Sequence, residues 1–127
     1  SLAVTGTEPA GFRQAGNNLD TYDVSVASGG NHTPDRTRGD HVRIRATSTG
    51  VAITIGAPTP NPAATSFALL RITFWNNAGG AITAWTMNAA YHLTAAISTV
   101  DTNITTVTLR YNTDTGNWHE ISRAVTT

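Results

Sequence analysis

Apolar and polar residues alternate in short stretches from about residue 20 to residue 123. Val42 and Ile44, for example, are separated by Arg43, and Val107 and Leu109 are separated by a threonine. An alternation of period two places every second side chain on the same face of a β-strand. The pattern predicts eight strands, near residues 22–26, 41–47, 51–55, 67–75, 82–87, 91–93, 106–111 and 118–123.

The stretch "RYNTDTGNWHEISR", residues 110–123, predicts a β-hairpin. Its central "NTDTGN" contains Asn, Asp and Gly, which tolerate positive φ or hydrogen-bond to their own backbone, as a tight bend requires. Tyr111 and Trp118 lie on either side of the bend and are expected to pair on one face. Such a cross-strand aromatic pair contributes up to about 1 kcal/mol.

Short strands separated by Gly, Asn and Pro turns are typical of all-β folds. We predict an antiparallel β-sandwich, jelly-roll-like, with about eight strands. The chain has no exact internal repeat, which argues against propellers and solenoids. A short helix is considered only in the segment "NAAYHLTAAIST". The core is expected to be drawn from Val24, Val42, Ile44, Ile53, Phe67, Leu69, Ile72, Phe74, Ile82, Val107, Leu109 and Ile121.

The chain is predicted to have two parts, an extended N-terminal arm at residues 1–19 and a β-sandwich domain at residues 20–127. The arm sequence "SLAVTGTEPAGFRQAGNNL" contains Gly and Pro and shows no sustained period. An arm that becomes ordered must recover its backbone entropy on a partner. The anchoring side chains would then be Leu2, Val4, Phe12, Arg13 and Leu19. The alternative is a frayed terminus without a role.

The charge balance and the length of the apolar runs argue against two classes of partner. The 127 residues include 8 basic and 8 acidic residues, so there is no excess of positive charge to neutralise nucleic-acid phosphates. The basic cluster at residues 36–45 is therefore interpreted as an ordinary solvated strand face. No apolar run is long enough to span a bilayer, and no membrane partner is expected. The absence of cysteine excludes disulfides and cysteine-based zinc sites.

Few residues suggest catalysis or metal binding. His32 and His41 flank a loop that contains Asp35 and Asp40, so a His/carboxylate metal site is conceivable. The alternative, loop and strand-face histidines, is favoured because no pair has HExxH or HxH spacing. Asp101, Asp114 and Glu120 fall at strand ends or turns, and no GxSxG motif is present. We expect no enzyme activity and no catalytic, cofactor-binding or metal-binding residues.

Two further features have ordinary alternatives. The tripeptide at residues 38–40, Arg-Gly-Asp, matches an integrin-recognition motif, but three residues occur together by chance and suit a turn. Four aromatic residues are candidates for a carbohydrate-stacking surface or, as aromatic residues do more often, for packing in the core or a subunit interface. They are Trp75, Trp85, Tyr91 and Trp118.

From about residue 51 to residue 123, the chain resembles a C-terminal β-sandwich module common in virion proteins of tailed bacteriophages. The matching stretches are "AITIGAPTPNP", "LLRITFWNNAGGAITAWTMNAAYHL" and "VTLRYNTDTGNWHEISR". In the module, an "IT" strand leads to a Pro/Asn turn and a strand of the "LRITF" type. A strand with Trp, a short "Y-x-L" segment and a Tyr-turn-Gly-Asn-Trp hairpin follow. The resemblance implies a fold that is usually trimeric and carries no catalytic residues.

The resemblance implies a role in the virion. About 50 residues precede the matching region, too few for a long fibre shaft. We therefore expect a homotrimeric capsid decoration (cement) protein on the outer surface of the phage head. Its partner would be the major capsid protein, which the arm would bind. The alternative is a receptor- or glycan-binding module of a tail fibre or spike, with a host glycan as its partner.

Overall fold

The computed structural model describes residues 20–63 and 67–127. These residues form an all-β fold without helices, and "NAAYHLTAAIST" contains a short strand where a helix was considered. Nine strands are formed, against the eight predicted, because Asn31–His32 pairs within a stretch that the sequence places in a loop. The strands are β1 Thr21–Val26, β2 Asn31–His32, β3 His41–Ala46, β4 Ile53–Ile55, β5 Leu69–Asn76, β6 Trp85–Met87, β7 Tyr91–His92, β8 Ile104–Asn112 and β9 Asn117–Thr126.

The first six strands alternate between two sheets. β1, β3 and β5 lie side by side in a six-stranded sheet of order β1-β3-β5-β8-β9-β7, and β2, β4 and β6 form a three-stranded sheet. Each of β1, β3 and β5 is thus followed by a strand of the smaller sheet, and we call such a pair of strands a coil. Successive coils stack in parallel, so that Thr21 pairs with His41, and His41 with Arg71.

This winding corrects the predicted strand directions. Of the seven pairs between the described strands, five are parallel, and only β5–β8 and β8–β9 are antiparallel. Period-two alternation is the same in both kinds of sheet, so it cannot report direction. A jelly roll consists of antiparallel neighbours, and the predicted jelly-roll connectivity is not confirmed. The stacked coils also resemble a solenoid, which the prediction argued against. The sequence shows no exact repeat because the loops that connect the strands differ in length.

One hydrophobic core joins the two sheets. Phe74 of the larger sheet meets Trp85 of the smaller sheet edge-to-face, with ring centroids 5.1 Å apart. Such an aromatic pair adds about 0.5–1.5 kcal/mol to the burial of its rings. Eight of the predicted core residues are buried, namely Val42, Ile44, Ile53, Ile72, Phe74, Ile82, Val107 and Leu109.

The other four predicted core residues differ from expectation. Val24 is only half-buried, because β1 is an edge strand among the described residues. Leu69 is half-buried and Phe67 is exposed, since the buried face of β5 carries the even-numbered residues from Leu70 to Phe74. Ile121 is exposed because the β8–β9 pairing skips it: Leu109 pairs with Glu120, and Thr108 with Ser122. This β-bulge ends the alternation on which the prediction relied.

The C-terminal hairpin follows the prediction closely. β8 and β9 pair up to Asn112 and Asn117, and Gly116 in the bend has a φ of +73°, a conformation that glycine adopts without strain. Tyr111 and Trp118 pair edge-to-face across the bend with ring centroids 5.2 Å apart. Trp118 is also among the most buried large side chains, so the hairpin contributes to the core as well as supplying two strands of the larger sheet.

Candidate binding face of the larger sheet

The larger sheet has one face against the core and one face toward solvent, which we call the outer face. In β3, Val42 and Ile44 are buried, so Arg43 and Arg45 point outward. Parallel pairing in register then aligns outward residues of neighbouring strands. Two adjacent rows cross β1, β3, β5 and β8: Asp23, Arg43, Thr73 and Thr106 in the first, and Ser25, Arg45, Trp75 and Ile104 in the second.

A hydrogen-bond chain on the outer face links His41, in the neighbouring row, to two members of the first row. His41 Nε2 lies 2.8 Å from Thr73 Oγ1, and Thr73 Oγ1 lies 2.9 Å from Thr106 Oγ1. Burial lowers the pKa of His41, and the positive charges of Arg71 and Arg43 lower it further. His41 therefore favours the neutral form, in which one ring nitrogen accepts a hydrogen bond.

The first row contains a bidentate ion pair. Arg43 donates from Nε to Asp23 Oδ1 (2.5 Å) and from Nη2 to Asp23 Oδ2 (2.7 Å). The hydrogen bonds from Arg43 lower the pKa of Asp23, so the carboxylate stays ionised. Both side chains are more than half exposed, and the pair consequently fixes their geometry more than it stabilises the fold.

The second row contains an exposed aromatic ring under a cation. The Arg45 guanidinium lies over the Trp75 ring, 5.1 Å from its centroid. In one orientation of its amide, Asn77 accepts hydrogen bonds from Arg45 Nη2 (2.7 Å) and Nε (2.9 Å). A depression of about 480 Å³ opens here. It is lined by Asp23, Val24, Ser25, Arg43, Arg45, Thr73, Trp75 and Ile104.

The four aromatic candidates separate into one surface residue and three core residues. Trp75 is 39% exposed, whereas Trp85, Tyr91 and Trp118 are buried. The polar atoms of two buried candidates have partners: Trp85 Nε1 donates to Asn76 Oδ1 (3.0 Å), and Tyr91 OH donates to the Gly56 carbonyl (2.8 Å). Within this chain the three therefore pack in the core, and only Trp75 is available for surface stacking.

The side chains of the candidate metal site at residues 32–41 contact other residues instead of one another. Tyr22 OH lies 3.1 Å from His32 Nε2, and Asp35 Oδ1 accepts a hydrogen bond from the Thr37 backbone N–H (3.0 Å). Asp40 Oδ1 lies 3.8 Å from Arg36 Nε in a nearly buried ion pair. Among the described residues, no three His, Asp or Glu side chains are grouped as metal ligands would be.

The Arg-Gly-Asp tripeptide is not a protruding loop tip. The Arg38 guanidinium lies over the Tyr22 ring at 4.2 Å, and the Asp40 side chain is only 11% exposed. Gly39 is buried, and a Cβ atom there would collide with the Asp20 carbonyl. The glycine is therefore required by close backbone approach, which gives it a structural reason at this position.

The acidic residues considered for catalysis are engaged locally. Glu120 is paired with Arg123 and accepts two hydrogen bonds from Thr94. Burial raises its pKa, but these hydrogen bonds outweigh burial and the pKa is lowered. Asp101 Oδ1 accepts from the Gly79 backbone N–H (3.2 Å), and Asp114 lies in the hairpin bend.

The sequence did not single out the arginines and Asp23 as a site. Arg36, Arg43 and Arg45 were grouped as one basic face, but Arg36 is buried over the Trp118 ring. The signal that would have separated them is the outward position of Arg43 and Arg45 in β3. The arm residues Leu2, Val4, Phe12, Arg13 and Leu19, with the predicted arm at residues 1–19, lie outside the described residues.

No family model, curated protein or solved structure matches this chain. Across the described residues, the fold offers no helix with the length and hydropathy of a membrane span.

Proposed function

We propose that this protein is a structural protein of a tailed-phage virion, a homotrimeric decoration protein that binds and stabilises the head shell through a β-sandwich module. The resemblance of residues 51–123 to virion modules supports the proposal. The major capsid protein is its partner, on the outer surface of the capsid. The observation that carries the oligomeric part of the proposal is an incompletely covered corner of the larger sheet.

That corner contains Val125. Its register partner Thr105 is buried on the core-facing side of β8, and cross-strand partners point to the same side. Val125 therefore faces inward, yet it is 51% exposed, so the described residues cover this corner of the sheet only in part. Val100, which is 58% exposed, adds a second apolar side chain at the same end of the sheet, next to Asn76. A neighbouring copy would cover this corner.

The oligomeric state tests this proposal. The full chain is expected to be a trimer by light scattering coupled to size exclusion, and Val125→Asp is expected to give a folded monomer, since a buried carboxylate at an interface is costly. Ile121→Asp is the matched control, because Ile121 lies in the same strand with a similar exposure of 54%. A monomeric full chain, or equal dissociation by both variants, would contradict the assigned interface.

Shell binding tests the partner. The full chain is expected to add to purified shells and to raise the temperature at which they break. Deleting residues 1–14 is expected to leave a folded trimer that binds shells weakly, because the anchors Leu2, Val4, Phe12 and Arg13 are lost. Equal binding by the truncated chain would show that the arm is not the attachment.

The second candidate is a receptor- or glycan-binding module. It is favoured by one observation, the exposed Trp75 ring beside a depression lined by polar side chains. Trp85 and Trp118, which are buried, have no part in it.

A further inference from the structure

The depression on the outer face has the dimensions of a small-ligand site. Its volume of about 480 Å³ falls within the roughly 300–1,000 Å³ typical of such pockets. Its lining combines a flat apolar surface, from Trp75 and Ile104, with polar groups from Asp23, Ser25 and Thr73. Indole rings stack against the apolar face of a pyranose, while carboxylates and hydroxyls bind its hydroxyl groups. This mixture is suited to a sugar.

The charges in the depression indicate which sugar. Arg43 is neutralised by Asp23 through two short hydrogen bonds. Arg45 differs, because its contacts in the described part of the chain are to the neutral side chains of Trp75 and Asn77. The depression thus carries one guanidinium charge that no described carboxylate balances. His41 and Arg71 stand in the next row of the outer face and add no negative charge.

We propose that this depression binds an acidic saccharide, a pyranose unit that carries a carboxylate. The carboxylate accepts hydrogen bonds from the Arg45 guanidinium, which favours planar oxyanions. The ring of the sugar lies against the part of Trp75 that Arg45 leaves exposed, and its hydroxyls reach Asp23 or Ser25. The Asp23–Arg43 pair has a second role here, since it holds the Asp23 carboxylate in place as an acceptor for sugar hydroxyls.

This inference deepens the second candidate function and does not depend on the trimer. A monomeric protein that still binds the saccharide would contradict the decoration proposal alone. A trimer that binds shells but no saccharide would contradict this inference alone.

The test is a titration of the full chain with each of four probes, monitored by two-dimensional NMR. A sialylated trisaccharide and a glucuronate-containing disaccharide carry the carboxylate, lactose is the neutral probe, and glucose 6-phosphate replaces the carboxylate by a phosphate. Millimolar affinity is sufficient for detection. We expect the two carboxylate probes to shift the Trp75 indole signal and lactose to bind at least about tenfold more weakly, because it lacks the charge-assisted bond. Binding is expected to weaken with added salt.

Two variants and a matched control locate the site. Arg45→Gln and Trp75→Ala are each expected to reduce binding of the carboxylate probes by about tenfold or more. Arg110→Gln, which removes the same charge from an exposed position outside the depression, is expected to leave binding unchanged. Signal dispersion in each spectrum verifies the fold. Equal loss in Arg110→Gln, equal binding of lactose, binding of the phosphate probe alone, or no shift with any probe would overturn the proposal.

Discussion

At the scale of single residues, Asn76 connects parts of the chain that are distant in sequence. Its side chain is 1% exposed and donates to the carbonyls of Ser98 (2.8 Å) and Val100 (2.9 Å). The Oδ1 atom of the same side chain accepts a hydrogen bond from the Trp85 indole Nε1 (3.0 Å). One amide thereby satisfies a buried indole of the smaller sheet and holds the segment that leads into β8.

Replacing this amide leaves its partners unsatisfied. Asn76→Ala is expected to lower the free energy of unfolding by about 2–4 kcal/mol, since three hydrogen bonds are lost and Trp85 Nε1 stays buried. Urea denaturation of the variant measures the change. Asn61→Ala, at an exposed position, is the control and is expected to lie within about 0.5 kcal/mol of the parent. Similar stability of both variants would show that Asn76 is not a structural connection.

At the scale of elements, the end of β9 is fixed by a polar cluster rather than by apolar packing. Arg123 pairs with Glu120 (2.8 Å), and its guanidinium also donates to the carbonyls of Ala95 (2.8 Å) and Ala96 (3.0 Å). Glu120 accepts from the backbone and hydroxyl of Thr94 (both 3.0 Å). The cluster attaches residues 94–96, which follow β7, to the last strand.

Removing Arg123 from this cluster leaves the Glu120 carboxylate without its cation. Arg123→Ala is expected to destabilise the fold by about 3 kcal/mol, because the Glu120 side chain is only 4% exposed and would lose its cation. Glu120→Gln is expected to cost less, about 1 kcal/mol, because Arg123 keeps its two carbonyl acceptors. Thermal unfolding of the two single variants and the double variant measures their coupling. Additive effects would contradict a shared cluster.

The elements also show what the sequence can and cannot predict. Strand positions followed from alternation, because burying one face of a strand demands it, and the hairpin followed from its bend residues. The parallel stacking of β1, β3 and β5 did not follow, since partners are chosen by loops that pass through a second sheet. β2 was missed because two residues are too few to show a period. Trp75 was a candidate from its residue type, but its proximity to Arg45 depends on the register.

At the scale of the whole molecule, the titrating groups set how stability depends on pH. Burial lowers the pKa of His32 and His41 below the ordinary value of 6.5. As the pH falls, the unfolded chain therefore protonates these histidines before the folded chain does. Their contribution to the free energy of unfolding is complete above pH 6.5 and is lost as the pH falls toward the folded-state pKa values. Hydrogen bonds lower the pKa of Asp35, and Arg43 lowers that of Asp23, which adds a second loss below about pH 4.

We therefore expect a two-stage decline of the free energy of unfolding between pH 8 and pH 3. Urea denaturation at intervals of half a pH unit measures it. The double variant His32→Gln/His41→Gln is expected to lack the first stage and to retain the second, because glutamine does not titrate. A flat profile between pH 8 and pH 5 in the parent chain would contradict the neutral state of both histidines.

The position of Trp118 has a consequence for biosynthesis. Its ring is buried against Tyr111 and beneath the guanidinium of Arg36, which lies in the loop between β2 and β3. During synthesis the ribosome releases the three coils before it releases β9. The Arg36 side chain therefore has no contact with Trp118 until β9 has been made. We expect chains cut before residue 118 to lose the contacts of Trp118 with Tyr111 and Arg36 and to be more prone to proteolysis or aggregation.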